Sequence, residues 1–267
     1  MAGFSVVESP LRTIWMPVGT AAAAATANTL YVGQLVTNTI ALTTSGLSAF
    51  VQSGTPDTRV PFGVVVGTNN KDPLYDSTYK CEYISSAPTV AGQLARKYAL
   101  VEGMHGKGDP QAMVKVAVIG ADTVLRGRIF KSAYGTAPTV GTVTTGAAGT
   151  GYTCSAGLGL TRIAYNSTHF CRSGANMGIY RIGYDAGTTA AAVTFYNYYP
   201  YTISAGDTFV CVNVAQGHTL MTFDALGLYV DGQAAQTASN RVQVLEIDLS
   251  VAGNESVLFR YGNPLVS

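Results

Sequence analysis

Short runs of β-branched and aromatic residues, each cut off by glycine, asparagine, aspartate or proline, recur along most of the chain. Phe62-Gly63-Val64-Val65-Val66 stops at Gly67-Thr68-Asn69-Asn70, and Met113–Ile119 stops at Gly120-Ala121-Asp122 before Thr123–Phe130 begins. Such punctuation leaves room for a strand and a turn, but not for the several turns that a stable helix needs. No long segment carries the 3.6-residue apolar period of an amphipathic helix; only Gln93–Glu102, stopped by Gly103, fits a short one. Further strands are expected at Leu30–Val32, Gln34–Thr37, Thr39–Thr43 and Thr78–Ile84. In the second half they are expected at Tyr152–Cys154, Arg162–Arg172, Gly178–Asp185, Ala192–Tyr199, Asp207–Val214, Leu226–Val230, Arg241–Leu249 and Val257–Tyr261. The expected class is all-β, with two tandem β-barrel or β-sandwich domains.

The division follows from composition. Residues 1–28 read as an extended N-terminal arm, because Pro10 and Pro17 interrupt a helix and Gly19–Asn28 is small and weakly patterned. Trp15 and Met16 are its large apolar groups, and they dock either on the chain's own domain or on a neighbouring subunit. Residues 29–130 form the expected N-terminal β domain and residues 131–267 the C-terminal one. Between them Ala133–Thr150, rich in Gly, Ala, Thr and Pro, reads as a linker or a long hairpin tip.

Charge constrains the partners. Lys, Arg, Asp and Glu make up 12% of the 267 residues, about half the usual share of roughly 25%. A surface so poor in charge is prone to associate, and 30 glycines and 16 tyrosines suit one covered by protein partners. The net charge of +1 carries no basic footprint for nucleic acid; Arg126, Arg128 and Lys131 are only a sprinkle on one expected strand. Ala21–Ala25 is far too short to span a bilayer, and the first residues lack the pattern of a signal peptide. Synthesis in a cytoplasm is expected, which argues against glycosylation at Asn166 and Asn254. Cys81, Cys154, Cys171 and Cys211 have no zinc spacing; four cysteines allow three pairings, and four unpaired, mostly buried thiols are the favoured reading.

Motifs for chemistry are missing. There is no G-x-S-x-G elbow, H-E-x-x-H, calcium loop, P-loop or G-x-G-x-x-G, so no catalytic residue, metal ligand or cofactor site is expected. His105, His169 and His218 are far apart in sequence. The His105-Gly106-Lys107-Gly108-Asp109 loop reads as a solvated turn, His169 as a packed strand residue, and Glu246 with Asp248 as an exposed polar strand face.

One stretch has a recognisable order. Ser173-Gly174-Ala175-Asn176-Met177-Gly178 leads into a strand, then Pro200-Tyr201-Thr202-Ile203 and Gly206-Asp207-Thr208-Phe209. Gly174, Asn176, Gly178, Gly206 and Asp207 read as structural turn residues, the glycines at positive φ and Asn176 tolerating that region. This order resembles a β module of tailed-bacteriophage virion proteins, including tail-hub proteins. The tail-hub versions continue with a G-C-D sequence where this chain has Val210-Cys211-Val212-Asn213. Val32–Val36 with Phe62–Val66 is similar to the small β-barrel of phage capsid decoration proteins. Asp122–Phe130 through Gly135–Thr139 resembles virion proteins of cyanophage-like and marine phages. The resemblance implies a capsid cement protein on the exterior of a virion head. Its partners would be the major capsid protein and copies of itself, in a trimer, with no membrane or direct nucleic-acid contact. A tail hub, tail tube or adaptor is the first alternative. A carbohydrate-binding surface protein is the second, with Tyr196, Tyr198, Tyr199 and Tyr201 as stacking platforms.

Overall fold

A computed structural model of the chain describes residues 3–8, 12–18, 29–43, 46–53, 61–69, 74–85, 113–154, 158, 167–183, 192–214, 216, 221–234 and 242–262. The described residues contain β-strands and no helix, so the all-β expectation holds. The short helix expected at Gln93–Glu102 lies outside them. In chain order the strands are β1 Ser5–Glu8, β2 Thr13–Pro17, β3 Thr29–Tyr31, β4 Leu35–Thr43, β5 Gly46–Ser53 and β6 Gly63–Thr68. Next come β7 Leu74–Asp76, β8 Cys81–Ser85, β9 Met113–Val118, β10 Val124–Phe130, β11 Val140–Gly146 and β12 Gly151–Cys154. The last are β13 Thr168–Cys171, β14 Tyr180–Ile182, β15 Ala192–Thr194, β16 Thr208–Val212, β17 Val230–Asp231, β18 Val242–Asp248 and β19 Ser256–Tyr261.

The chain divides into two compact units. The first comprises Met1–Leu125 with Ala225–Leu228; the second comprises Arg126–Asp224 with Tyr229–Ser267. A division at 130/131 along the sequence had no place for the return of residues 225–228 to the first unit. Gln34 holds that return: fully buried, it accepts from Tyr31 N at 2.9 Å and donates Nε2 to Leu226 O at 2.7 Å. Leu35 N adds a bond to Gly227 O at 2.9 Å.

The first unit has a five-stranded sheet in the order β2-β9-β6-β4-β5 and a three-stranded sheet β3-β8-β7. Its edge strands β2 and β5 lie against each other, so the larger sheet is curled. Inward residues alternate along these strands and meet in one core of Met16, Leu30, Val36, Val65, Ile84, Val114 and Val116. Of the two dockings left open for Trp15 and Met16, the one found is on the chain's own domain. Thr13–Pro17 pairs antiparallel with β9 through all five residues, and Met16, 6% exposed, is a core residue of its own unit. Trp15 faces the other way, half-buried. Pro17 ends the pairing, consistent with the place of proline in an edge strand.

In the second unit, β14-β13-β16-β11-β12-β15 form a six-stranded sheet. Gly183, next to β14, bridges antiparallel to Phe195, next to β15, and closes the sheet into a barrel. Closure removes the edges of an open sheet. The low-complexity segment read as a linker or hairpin tip forms a hairpin and supplies a barrel strand: β11 pairs with β16 on one side and β12 on the other. Its small residues are there for close packing. A Cβ on Gly141 would lie 2.7 Å from Leu158 Cδ2 and 2.9 Å from Cys154 Sγ.

A second sheet runs β10-β19-β18 with β17 parallel to β10, and it meets the barrel at β16. Gly232 marks this contact, since a Cβ there would meet Ile129 Cγ2 at 2.6 Å and Val212 Cγ1 at 3.2 Å. Leu226–Val230 was expected as one strand; residues 225–229 form a turn, and only Val230–Asp231 is extended. Asp231 Oδ1 caps the turn after it, accepting from Gln233 N and Ala234 N. An ion pair joins the layers: Arg172 Nη2 lies 2.7 Å from Glu255 Oε1, the latter side chain 2% exposed, and donates to Leu249 O at 2.8 Å.

Truncating a buried methionine removes transfer energy and leaves a cavity. Met16→Ala is therefore expected to destabilise the first unit by about 2–4 kcal/mol, read by urea denaturation. A Met16→Ala protein as stable as wild type would show that β2 is not part of this core.

Candidate functional site

Among the described residues, three places in the second unit bring polar or exposed aromatic side chains together. The first is inside the barrel. His169 on β13 lies opposite Cys211 on β16 in the strand register and is fully buried. Its Nδ1 is 2.8 Å from the Tyr152 hydroxyl, and its Nε2 is 2.8 Å from the Ser167 hydroxyl and 3.4 Å from Cys211 Sγ. Sequence separation hid this histidine–thiol pair, which only strand pairing creates. It has the composition of a nucleophile and base, but burial opposes both charged forms. The imidazole is pushed down to about 3 and the Cys211 thiol is pushed far up, each chiefly by desolvation. Cys154 and Cys171 are pushed up to about 11 for the same reason, and Cys81 in the first unit likewise. All four cysteines are free and buried. A neutral imidazole donates from one nitrogen and accepts at the other, so this cluster is a satisfied internal network. Aromatic rings pack beside it, with Tyr152 stacked on Phe209 at 4.3 Å and Phe195 edge-on to His169 at 5.3 Å.

The second place is the rim formed by the turn residues singled out in sequence. Gly174, Gly178 and Gly206 all have positive φ, at 94°, 89° and 95°. Asn176 does not, which corrects the reading that it tolerates that region. Among the described residues only Lys80 and Ser132 do so without being glycine. Asn176 is instead a buried clamp. Its Nδ2 donates to Tyr201 O at 3.0 Å, and its Oδ1 accepts from Tyr201 N at 3.1 Å. Asp207 accepts from Ser204 N at 2.9 Å and closes its own turn. Its carboxylate lies where a Cβ on Gly174 would go, whereas the space beside Gly178 and Gly206 is open. Ser173 Oγ accepts from Thr208 N at 3.0 Å. The residues of the ordered motif therefore bond chiefly to one another, locking loop 173–178 against loop 198–207. Arg181 extends the lock, donating Nε to Tyr198 O at 2.9 Å with its guanidinium 5.2 Å over the Tyr199 ring.

These locked loops expose large side chains. Met177 is 68% exposed, Tyr196 50%, Tyr198 62% and Tyr201 59%, while Tyr199 is buried. Of the four clustered tyrosines, three are thus surface groups and one is core. Tyr, Met and Arg are the residue types enriched at protein interfaces. The other residues proposed for an interface, Trp15 and Met16, belong to the first unit, with Met16 withdrawn into its core.

The third place is the outer face of β10-β19-β18. Arg126, Arg128, Glu246 and Asp248 line a groove of about 300 Å³ with Asn254, Ser256 and Leu258. Glu246 and Asp248 share a face, as the strand period required, and the sheet sets the two arginines across from them. The Ser250 hydroxyl and amide hydrogen-bond Asp248 and hold its carboxyl below the usual range. Arg128 Nη2 donates to Gly253 O. Two positive and two negative groups leave the groove without a net sign. Lys131 is turned away to Thr139 Oγ1 at 2.9 Å. The His105 loop and His218 lie outside the described residues. Among the described residues no group of three or more His, Cys, Asp or Glu is arranged to hold a metal ion.

Two outcomes test this geometry. A left-handed φ costs a non-glycine residue about 1–2 kcal/mol, so Gly178→Ala is expected to lose that much. Gly174→Ala meets the Asp207 carboxylate as well and should lose about 3 kcal/mol or more; equal melting temperatures for the two variants would contradict the close approach. His169 gives the second outcome. Its folded-state pKa lies below its unfolded value near 6.5, so the unfolded state binds the extra proton between those limits. Its contribution is complete above pH about 6.5 and falls as pH drops toward 3, by up to about 1.4 kcal/mol per pH unit. Denaturation at stepped pH is expected to show this slope in wild type and its loss in a less stable His169→Gln variant.

No family's sequence profile, no curated protein and no solved structure matches the chain.

Proposed function

We propose that this chain is a non-catalytic virion structural protein, a capsid cement or decoration protein. It would bind across capsid subunits on the outside of a tailed-phage head, with the major capsid protein and copies of itself as partners. The observation that carries the reading is the display of Met177, Tyr198 and Tyr201 on loops locked by Asn176. Large amphipathic side chains on a backbone that is already ordered lose little freedom on binding. A stable interface buries about 1,200–2,000 Å², with a few such anchors carrying most of its energy. The low charge, 12% of residues, reduces the polar surface that association must desolvate. The histidine–thiol pair, the closest approach to a catalytic dyad in the described chain, is neutral and sealed inside the barrel. The likeness of Ser173–Phe209 to a virion β module supplies the particle context, and trimerisation on the capsid belongs to the same proposal.

The test is occupancy on purified heads lacking the protein. Tyr198→Ala combined with Tyr201→Ala is expected to reduce occupancy at least about tenfold, the effect of losing one interface anchor, with an unchanged melting temperature. Wild-type occupancy in that variant would remove these loops from the interface. Density on the tail rather than the head, in images of the particle, would replace cement with a tail hub, tube or adaptor role.

A further inference from the structure

A pocket of about 310 Å³ opens beside the locked rim, lined by Thr168, Tyr180, Arg181, Ile182, Asn197, Gln216, Glu246 and Ile247. We propose that this pocket, between β14, Asn197 and β18, binds a neutral saccharide. Its chemistry is independent of where the protein sits in a particle.

The volume falls at the low end of small-ligand pockets, enough for a sugar ring or two. The lining charges are one guanidinium and one carboxylate. A cation would face Arg181 and an anion would face the exposed Glu246, so a ligand without charge is favoured over either. Arg181 already donates Nε to Tyr198 O and Nη1 to Tyr180 O, which fixes its position. Asn197 contributes an exposed amide that both donates and accepts. Gln216 is held by its own bond from Nε2 to Leu245 O at 2.8 Å, and its carbonyl oxygen is an acceptor.

Apolar surface is interleaved with these groups. Ile182, Ile247, Tyr180 and Thr168 complete the lining. Tyr180 is rigid, its ring 4.5 Å from Phe170 and its hydroxyl accepting from Leu249 N at 3.0 Å. A sugar needs this mixture, because its hydroxyls both donate and accept while its ring carbons present faces of C–H. Tyr196 and Tyr198, the chain neighbours of Asn197, are exposed and offer ring faces to further residues of an oligosaccharide.

The experiment is a glycan array of neutral and charged mono- to tetrasaccharides probed with the whole protein, followed by calorimetric titration of the strongest ligand. At least one neutral glycan is expected to bind. Asn197→Ala and Gln216→Ala should each weaken it by roughly tenfold, as for one lost hydrogen bond, with the melting temperature unchanged. Tyr75→Ala, an exposed tyrosine of the first unit, should leave it unaltered. A shift of the Tyr180 ring resonances on titrating the glycan into the wild-type protein is expected, and it reads this pocket independently of any variant's folding; unshifted Tyr180 resonances in the complex would place the ligand elsewhere. No retained glycan, retention of acidic glycans alone, or affinity untouched by both pocket variants would each overturn the proposal.

Discussion

The second unit is organised around one requirement, that His169 be buried with both ring nitrogens satisfied. An imidazole removed from water loses about a kcal/mol or more for each nitrogen left without a partner. The partners come from separate places in the chain: Tyr152 from β12, Ser167 from the approach to β13, and Cys211 from β16. They converge only when β13 pairs with β16 in register and the sheet has curled far enough to bring β12 across the interior. Gly183, whose backbone bridge to Phe195 closes the barrel, sits against the same group. A Cβ there would lie 2.8 Å from both His169 Nε2 and Ser167 Oγ. Closure, register and the internal polar network are thus aspects of one arrangement, and the aromatic interior packs around it.

The rim inherits this rigidity. Arg172, at the end of β13, enters the buried pair with Glu255 and joins the barrel to the β18–β19 hairpin. Breaking such a pair costs more than the pair itself contributes, because the remaining charge is stranded. From that fixed point the chain turns through Gly174 and Asn176 and is bonded to the Tyr201 backbone. The exposed tyrosines therefore stand on a preordered support, a favourable basis for binding either a protein lattice or a sugar. In the first unit, Gln34 has a comparable role, recruiting the turn at residues 225–228 through a buried side-chain amide.

Much of this was legible in local pattern. Alternating β-branched runs marked β6, β9, β10, β16, β18 and β19 because strand burial has a period of two. The glycines of the Ser173–Phe209 order marked positive φ. Local pattern left alternatives open where long-range packing decides. Ala133–Thr150 read as a linker or a hairpin tip; β11 and β12 form the hairpin, and Gly141 is glycine because Leu158 and Cys154 leave no room for a Cβ. Met16 had two dockings open to it, and five residues of pairing with β9, distant in sequence, make it core of its own unit. Asn176 was recognised as a turn residue, but its side-chain contact to Tyr201 depends on two loops meeting.

By itself the sequence determined the class of the fold, the positions of most turns and strands, and the low share of charged residues. Those properties follow from local sterics, hydrophobic alternation and composition, which need no knowledge of contacts. Tertiary structure alone decided that one sheet closes into a barrel and that residues 225–228 return to the first unit. It also placed His169 beside Cys211 in a neutral interior, and set Tyr199 inside while Tyr196, Tyr198 and Tyr201 face solvent. These outcomes depend on register and closure between strands far apart in the chain, where a shift of one residue would reverse every inside and outside position.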